Sequence, residues 1–230
     1  MRIIAGRDVP AGPLRAAGDR VPDQGARETS RFMELPTVLE YPIVVVADLH
    51  GQLAALDRLI ARLERLQEWP RCALMFLGDF VDRGPAVPGC VERVLELLKR
   101  PAGGSAVMGN HDLALVRAAQ LDDGPPSPYW IERYRDKYDC ETTVHGYLGR
   151  HLDSAEPWVE TLGGLKRAMP REHVQFLAGL PWLVESSGHL FLHCGLSPDL
   201  EATLDDQVEA LRQKRWDREV LRPRAGSPTD

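Results

Sequence analysis

Three short apolar runs, each followed by a polar residue, are the feature that most constrains the fold of this chain. The polar residues Asp48, Asp79 and Asn110 are separated from one another by steps of 31 residues. A repeat of strand, polar residue and amphipathic helix predicts an α/β fold with largely parallel strands joined by right-handed crossovers. The apolar runs, typical of strands buried on both faces, are residues 43–47, 73–77 and 106–108.

Residues from about 121 to 180 interrupt this repeat. A Pro-rich loop leads into a segment that predicts several short helices, which we treat as an insert. Trp130, Tyr134 and Tyr138 recur there every four residues. Two interpretations are open: the rings face a substrate as a lid, or they pack the helices onto the body of the domain. Packing is the favoured interpretation.

Metal-binding residue types are concentrated at the predicted strand ends. Because adjacent parallel strands lie about 4.8 Å apart, Asp48, Asp79 and Asn110 are expected to form a row suited to two metal ions about 3.5–4 Å apart. Carboxylate, imidazole and amide ligands together favour Mn²⁺, Fe or Zn²⁺ over Ca²⁺, which prefers oxygen ligands throughout. The metal-binding residue types lie in four short motifs, each at the end of a predicted strand. These motifs are DLHGQ at 48–52, GDFVDRG at 78–84, GNHD at 109–112 and HCGLSP at 193–198.

This series of motifs resembles the phosphoprotein phosphatases among the calcineurin-like metallophosphoesterases. The resemblance covers residues 43 to about 200. It implies an α/β fold of two stacked mixed β-sheets flanked by α-helices, with two divalent ions, Mn²⁺ being expected. It also implies that phosphate monoesters are hydrolysed by a water molecule that the metal ions activate.

The resemblance also implies a role for each matching residue. Asp48 and His50 would bind the first metal ion, and Asp79 would bridge both ions. Asn110 and His193 would bind the second ion.

The same motifs imply the residues that handle the phosphate. His111 would be the general acid, Asp82 would orient it, and Arg83 would bind the phosphate together with Asn110. Arg218 is either a second arginine ligand of the phosphate or an ordinary arginine at a helix end.

The sequence departs from the family pattern in one respect. The family uses a further histidine, on a later strand, as a ligand of the second metal ion, and no histidine follows His193 here. Either the final strands belong to a longer enzyme and are missing, or a short chain has an incomplete second site. We therefore expect the second ion to bind weakly or not at all. His173 is expected to be a solvated helix residue, and Cys194 a small buried apolar residue in preference to a redox switch.

Charge and cysteine usage restrict the partners. The net charge is −6 and no basic run is present, which disfavours nucleic acid and membranes as partners. A phosphorylated protein or a small phosphoester is expected instead. Four scattered cysteines without a CxxC pair suggest a cytoplasmic protein. Residues 1–38, rich in Pro and Gly, predict an extended or partly disordered arm before a metallophosphoesterase domain at 39–230.

Three functions are consistent with these features. The leading prediction is a phosphatase of the serine/threonine protein phosphatase kind. Bacterial symmetrical dinucleoside tetraphosphatases carry similar motifs but often replace the acid at the position of Asp82, and they are the alternative. A truncated or non-catalytic module that binds metal or phosphate is the second alternative.

Overall fold

The computed structural model describes residues 42–215 except Ser154 and Ser187. The predictions for residues 1–38 and for Arg218 lie outside these residues. The strands are β1 (Ile43–Val46), β2 (Ala73–Phe76), β3 (Gly104–Ala106), β4 (Val184–Ser186) and β5 (His189–Phe191). The α-helices are α1 (Leu53–Leu63), α2 (Val87–Leu98), α3 (Asn110–Ala118), α4 (Pro128–Lys137), α5 (Glu141–Leu148), α6 (Trp158–Ala168), α7 (Arg171–Gly179) and α8 (Leu204–Arg212).

A parallel sheet of β1, β2 and β3, in that order, forms the centre of the fold. Ile43 lies opposite Ala73, and Leu74 lies opposite Gly104. The predicted α/β fold is therefore confirmed. The third strand begins two residues earlier than predicted, at Gly104, where β3 approaches β2 closely. A Cβ atom on Gly104 would lie 2.6 Å from the carbonyl oxygen of Leu74.

The second sheet is an antiparallel pair of β4 and β5. Met75 and Val107 contact Val184 and Phe191, so the two sheets stack through an apolar layer. The other face of the parallel sheet packs on the helices through a larger core, in which each fully buried aliphatic or aromatic side chain contributes about 1.5–3 kcal/mol. Among the described residues neither sheet is mixed: one is parallel and the other antiparallel.

The insert consists of α4 to α7 and packs beside α2 and α3. Tyr134 is fully buried and Tyr138 is 8% exposed, in agreement with the packing interpretation of this aromatic series. His173 is only 2% exposed, so the prediction of a solvated residue was wrong. Its ring lies 2.9 Å from both the Glu92 carboxylate and the Tyr147 hydroxyl, because α7 turns it inward with Phe176. Across the part of the chain that is described, no helix has the length and apolar character needed to cross a membrane.

Candidate metal centre

Five of the predicted residues converge beyond the carboxyl ends of the strands. The Asp79 carboxylate is central: its Oδ2 lies 3.5 Å from Nε2 of His50 and 3.6 Å from Nε2 of His193. Oδ1 of Asn110 lies 3.0 Å from Nε2 of His193. Asp48 places Oδ1 3.9 Å from Nδ1 of His193, and its side chain is half exposed.

The backbone at these strand ends is strained and tightly bonded. His50 and Asp79 have positive φ angles of 42° and 53°, a conformation that costs about 1–3 kcal/mol for residues other than glycine. Both Leu49 and His50 donate N–H to the Asp79 carbonyl oxygen, at 3.0 and 2.7 Å. A Cβ atom on Gly78 would lie 2.3 Å from the Gly109 nitrogen. The loops after β1, β2 and β3 are therefore in direct backbone contact.

The two histidines present the same ring nitrogen to Asp79. Nδ1 of His50 donates to the Val81 carbonyl oxygen at 2.8 Å, and Nδ1 of His193 donates to that of Leu77 at 2.7 Å. A carbonyl oxygen only accepts, so Nδ1 of each ring carries a proton and Nε2 of each ring is the nitrogen that faces the Asp79 carboxylate. When both Nε2 atoms are unprotonated, two imidazole nitrogens and a carboxylate form a donor set that suits divalent cations.

His111 forms a buried pair with Asp82. Its Nδ1 lies 2.7 Å from Oδ2 of Asp82, whose side chain is fully buried. The His111 ring packs edge-on against the rings of His50 and Tyr138, with both centroid distances at 4.6 Å. Arg83 bridges the two histidines, because its Nη1 is 2.8 Å from Nε2 of His50 and its Nη2 is 3.0 Å from Nε2 of His111.

Asp112, for which no role was predicted, connects two of the strand-end loops. Its carboxylate accepts backbone N–H bonds from Asp79 at 2.7 Å, Phe80 at 2.9 Å and Gly109 at 3.0 Å. Burial, and then the charge of Asp79, raise the pKa of Asp112 to about 7, while the three N–H bonds act in the opposite direction. Asp112 is the third residue of α3, a position at which acidic residues often cap helices, and this position could have predicted a structural role for Asp112.

Two buried hydroxyl groups from the insert were also missed. Tyr134 and Thr143 donate to Oδ1 of Asp82 at 2.7 and 2.6 Å. Burial, and then the Asp82 charge, hold the pKa of Tyr134 well above its usual range, so this hydroxyl stays protonated and remains a donor. The four-residue spacing of the aromatic series predicted only a packing role for Tyr134, and no sequence pattern indicated a role for Thr143.

Comparison with known families decides the classification. The family model described as calcineurin-like phosphoesterase matches residues 41–218. The chain belongs to this family.

Curated relatives of this phosphoesterase include two from Burkholderia. A symmetrical bis(5'-nucleosyl)-tetraphosphatase of Burkholderia thailandensis is 30% identical over 79% of this chain and 53% of its own length. One of Burkholderia pseudomallei strain 668 is 29% identical over 81% of this chain and 55% of its own. The chain thus spans about half the length of these relatives. A metallophosphoesterase structure from Sphaerobacter thermophilus aligns with a TM-score of 0.35 at 23% identity, over 62% of this chain and 42% of that one.

The donor set of this phosphoesterase fits divalent metal ions. Two groups have ligand atoms that all lie within 4.8 Å of one another, and they share Asp79. One group joins Asp79 to Asp48 and His193, and the other joins it to His50 and His111. Asp48 and His193 thus fall in one group and His50 in the other, and the assignment of each ligand to the first or second ion stays a prediction.

Cys194, beside His193, differs from expectation. It is exposed, while the other three cysteines are buried, so the prediction of a buried apolar residue was wrong. Partial burial of the thiol, and then the charges of Asp79 and Asp48, raise the pKa of Cys194, which keeps the thiol in its less reactive form.

Adding Mn²⁺ to metal-free protein is expected to increase the free energy of unfolding. The ligands come together only in the folded chain, so saturation at about 100 times Kd contributes about 2.7 kcal/mol. Urea unfolding with EDTA and with excess Mn²⁺ measures this difference. Ca²⁺, which disfavours imidazole ligands, is the control and should stabilise less. Equal unfolding curves with EDTA and with Mn²⁺ would contradict the metal centre.

Proposed function

We propose that this phosphoesterase hydrolyses phosphate monoesters with two divalent metal ions and His111 as general acid. The observation that carries the proposal is the buried His111–Asp82 pair beside the convergent ligands of the metal centre. A phosphorylated serine or threonine, in a protein or in a small molecule, is the proposed substrate class.

The residues of the chain divide the work of the reaction. Asp48, His50, Asp79, Asn110 and His193 would hold the metal ions, which when bound activate water and neutralise phosphoryl charge. Arg83 binds two phosphoryl oxygens, as a planar guanidinium can. A cation on Nε2 of His50 would take the place of the hydrogen bond from Arg83, which frees that guanidinium for the phosphate.

The protonation of the leaving group is the step in which His111 acts. Nδ1 of His111 donates to the Asp82 carboxylate, and the carboxylate stabilises the charged ring. In this structure Nε2 of His111 accepts from Nη2 of Arg83, and once Arg83 binds the phosphate instead, Nε2 can carry a proton and give it to the departing oxygen. An alkoxide is a poor leaving group, so monoesters of serine and threonine gain most from such an acid.

The symmetrical dinucleoside tetraphosphatase reaction is the second candidate. It is the activity named for the Burkholderia relatives. An apolar cavity lined in part by Trp182, Leu192 and Leu211 borders Asn110 and His193, and it offers a surface for a nucleobase. A nucleoside diphosphate leaves readily, however, so this reaction gains less from the His111–Asp82 pair.

Replacing His111 with Asn is expected to lower kcat on phenyl phosphate with Mn²⁺ by about 10²–10⁴-fold, the usual contribution of a general acid. Steady-state kinetics with wild type and the variant measure the effect. His145→Asn is the matched control, because His145 is exposed on α5 in the insert. An unchanged kcat in His111→Asn would refute the role of His111, and an inactive wild type would favour a non-catalytic binding module.

Competition between substrates separates the two enzymatic candidates. Hydrolysis of a phosphoserine peptide faster than that of diadenosine tetraphosphate supports the monoesterase. The opposite order, by a large margin in kcat/KM, would assign the chain to the tetraphosphatase reaction.

A further inference from the structure

Two hydroxyl groups of the insert bind one oxygen of the carboxylate that pairs with His111. Tyr134 and Thr143 both donate to Oδ1 of Asp82, while Oδ2 bonds Nδ1 of His111 at 2.7 Å. Asp82, Tyr134 and Thr143 are each 0% exposed. Water therefore cannot readily replace either hydroxyl, and the two oxygens of Asp82 have separate partners.

The insert also bonds the backbone of the same loop. Asp82 and Arg83 have consecutive positive φ angles of 70° and 65°, a conformation that is costly for two side-chain-bearing residues in succession. The Asp82 N–H donates to Oγ1 of Thr143 at 2.9 Å, and the Arg83 N–H donates to the Asp139 carbonyl oxygen at 2.9 Å. The strained loop is thus stabilised by contacts with the segment that joins α4 to α5 and with α5 itself.

Removing the hydroxyl groups would change what Asp82 can do. Oδ1 would become a buried acceptor with fewer donors, and the carboxylate could turn either oxygen toward His111 or shift away from it. The ring of His111 would then lose its fixed orientation toward the departing oxygen, although the metal ligands would stay in place.

We propose that Tyr134 and Thr143 are positioning residues of the reaction, because they fix Asp82 so that it orients His111. This inference rests on the proposed role of His111 as general acid. It gives the helical insert a part in the chemistry beyond packing.

The test compares two substrates that differ in leaving group. Tyr134→Phe and Thr143→Val each remove one hydroxyl and keep most of the side-chain volume. On phenyl phosphate, whose leaving group needs a proton, kcat is expected to fall about 10- to 100-fold, as for other buried partners of a functional group. On p-nitrophenyl phosphate, whose leaving group departs readily, kcat should change by no more than about twofold. Thr143→Ser keeps the hydroxyl and should restore kcat on phenyl phosphate.

The matched control is Tyr147→Phe. Tyr147 lies on α5 in the same insert, and its hydroxyl bonds Nδ1 of His173 at 2.9 Å, away from Asp82. This variant also removes a tyrosine hydroxyl that is bonded inside the insert, but it should not distinguish the two substrates. Amide exchange of Asp82 gives a readout without turnover, because Thr143→Val removes the acceptor of that N–H and should speed its exchange.

The outcomes separate this inference from the proposed function. Selective loss on phenyl phosphate, with rescue by Thr143→Ser and unchanged Mn²⁺ affinity, supports the positioning role. Equal losses on both substrates, as expected for a purely structural hydroxyl, overturn it, and so does no loss at all. If His111→Asn lowers kcat equally on the two substrates, the proposed role of His111 as general acid is wrong. Amide exchange of Asp82 tests the positioning contact separately. Exchange in Thr143→Val that is as slow as in wild type would overturn that contact.

Discussion

Asp79→Asn is expected to lower Mn²⁺ affinity at least about 100-fold, because even buried partners of metal ligands contribute 10–100-fold and Asp79 is the proposed ligand of both ions. Asn keeps an acceptor oxygen for the backbone N–H of His111, which donates to Oδ1 of Asp79 at 2.9 Å. It replaces the charged oxygen that lies between His50 and His193 with a neutral group. Calorimetric titration of metal-free protein with Mn²⁺ measures the change, and turnover of p-nitrophenyl phosphate should fall in parallel.

Asp57→Asn is the matched control for this variant. Asp57 is a half-exposed carboxylate on α1 that pairs with Arg93 at 3.0 Å, remote from the strand ends. The control removes the same charge and should leave Mn²⁺ affinity and turnover as in wild type. Wild-type affinity in Asp79→Asn would mean that this carboxylate is not a ligand, and the proposed metal centre would have to be abandoned.

Asp112→Ala is expected to lower the free energy of unfolding by about 3 kcal/mol. It leaves three buried N–H groups without an acceptor, each at a cost of about 1–3 kcal/mol. Relief from burying a carboxylate next to Asp79 offsets part of this cost, so the lower end of the sum is the expected value. A domain is stable by only about 5–15 kcal/mol, so the loss is a large share of the total. Urea unfolding of metal-free protein measures it.

A graded series makes this result specific. Asp112→Asn keeps one acceptor oxygen and should unfold at a urea concentration between those of wild type and the Ala variant. Asp206→Ala removes the acid at the same capping position of α8, where its carboxylate is exposed and bonds Thr203. A much smaller loss is expected there. A urea midpoint equal to that of wild type in Asp112→Ala would show that the three bonds do not stabilise the fold.

The parts of the fold that follow from local periodicity could be predicted from sequence. Strands β1 and β2 and the placement of Asp48 and Asp79 after them follow from apolar runs and from the geometry of parallel sheets. The convergence of His193 with this row could be anticipated only through the family motifs, since it lies 116 residues from the Leu77 carbonyl that it contacts.

Contacts that depend on tertiary packing could not be predicted. Tyr134 and Thr143 lie 52 and 61 residues from Asp82 in sequence. Sequence periodicity predicts which face of a helix is buried, but it does not predict the hydrogen-bond partner of a hydroxyl group. Strand β4 is three residues long with one exposed position, which leaves too short an alternation to identify. His173 follows a charged residue in sequence and looked solvated, yet the orientation of α7 buries it.

Asp79 joins three loops through atoms of a single residue: its carbonyl oxygen binds the loop after β1, its N–H binds Asp112, and its Oδ1 binds the N–H of His111. Bonds of Asp79 therefore hold the ligand-bearing loops together without help from a metal–ligand bond. Exchange of one transition-metal ion for another should then need no refolding, and the ion that the protein carries in a cell should depend strongly on local supply.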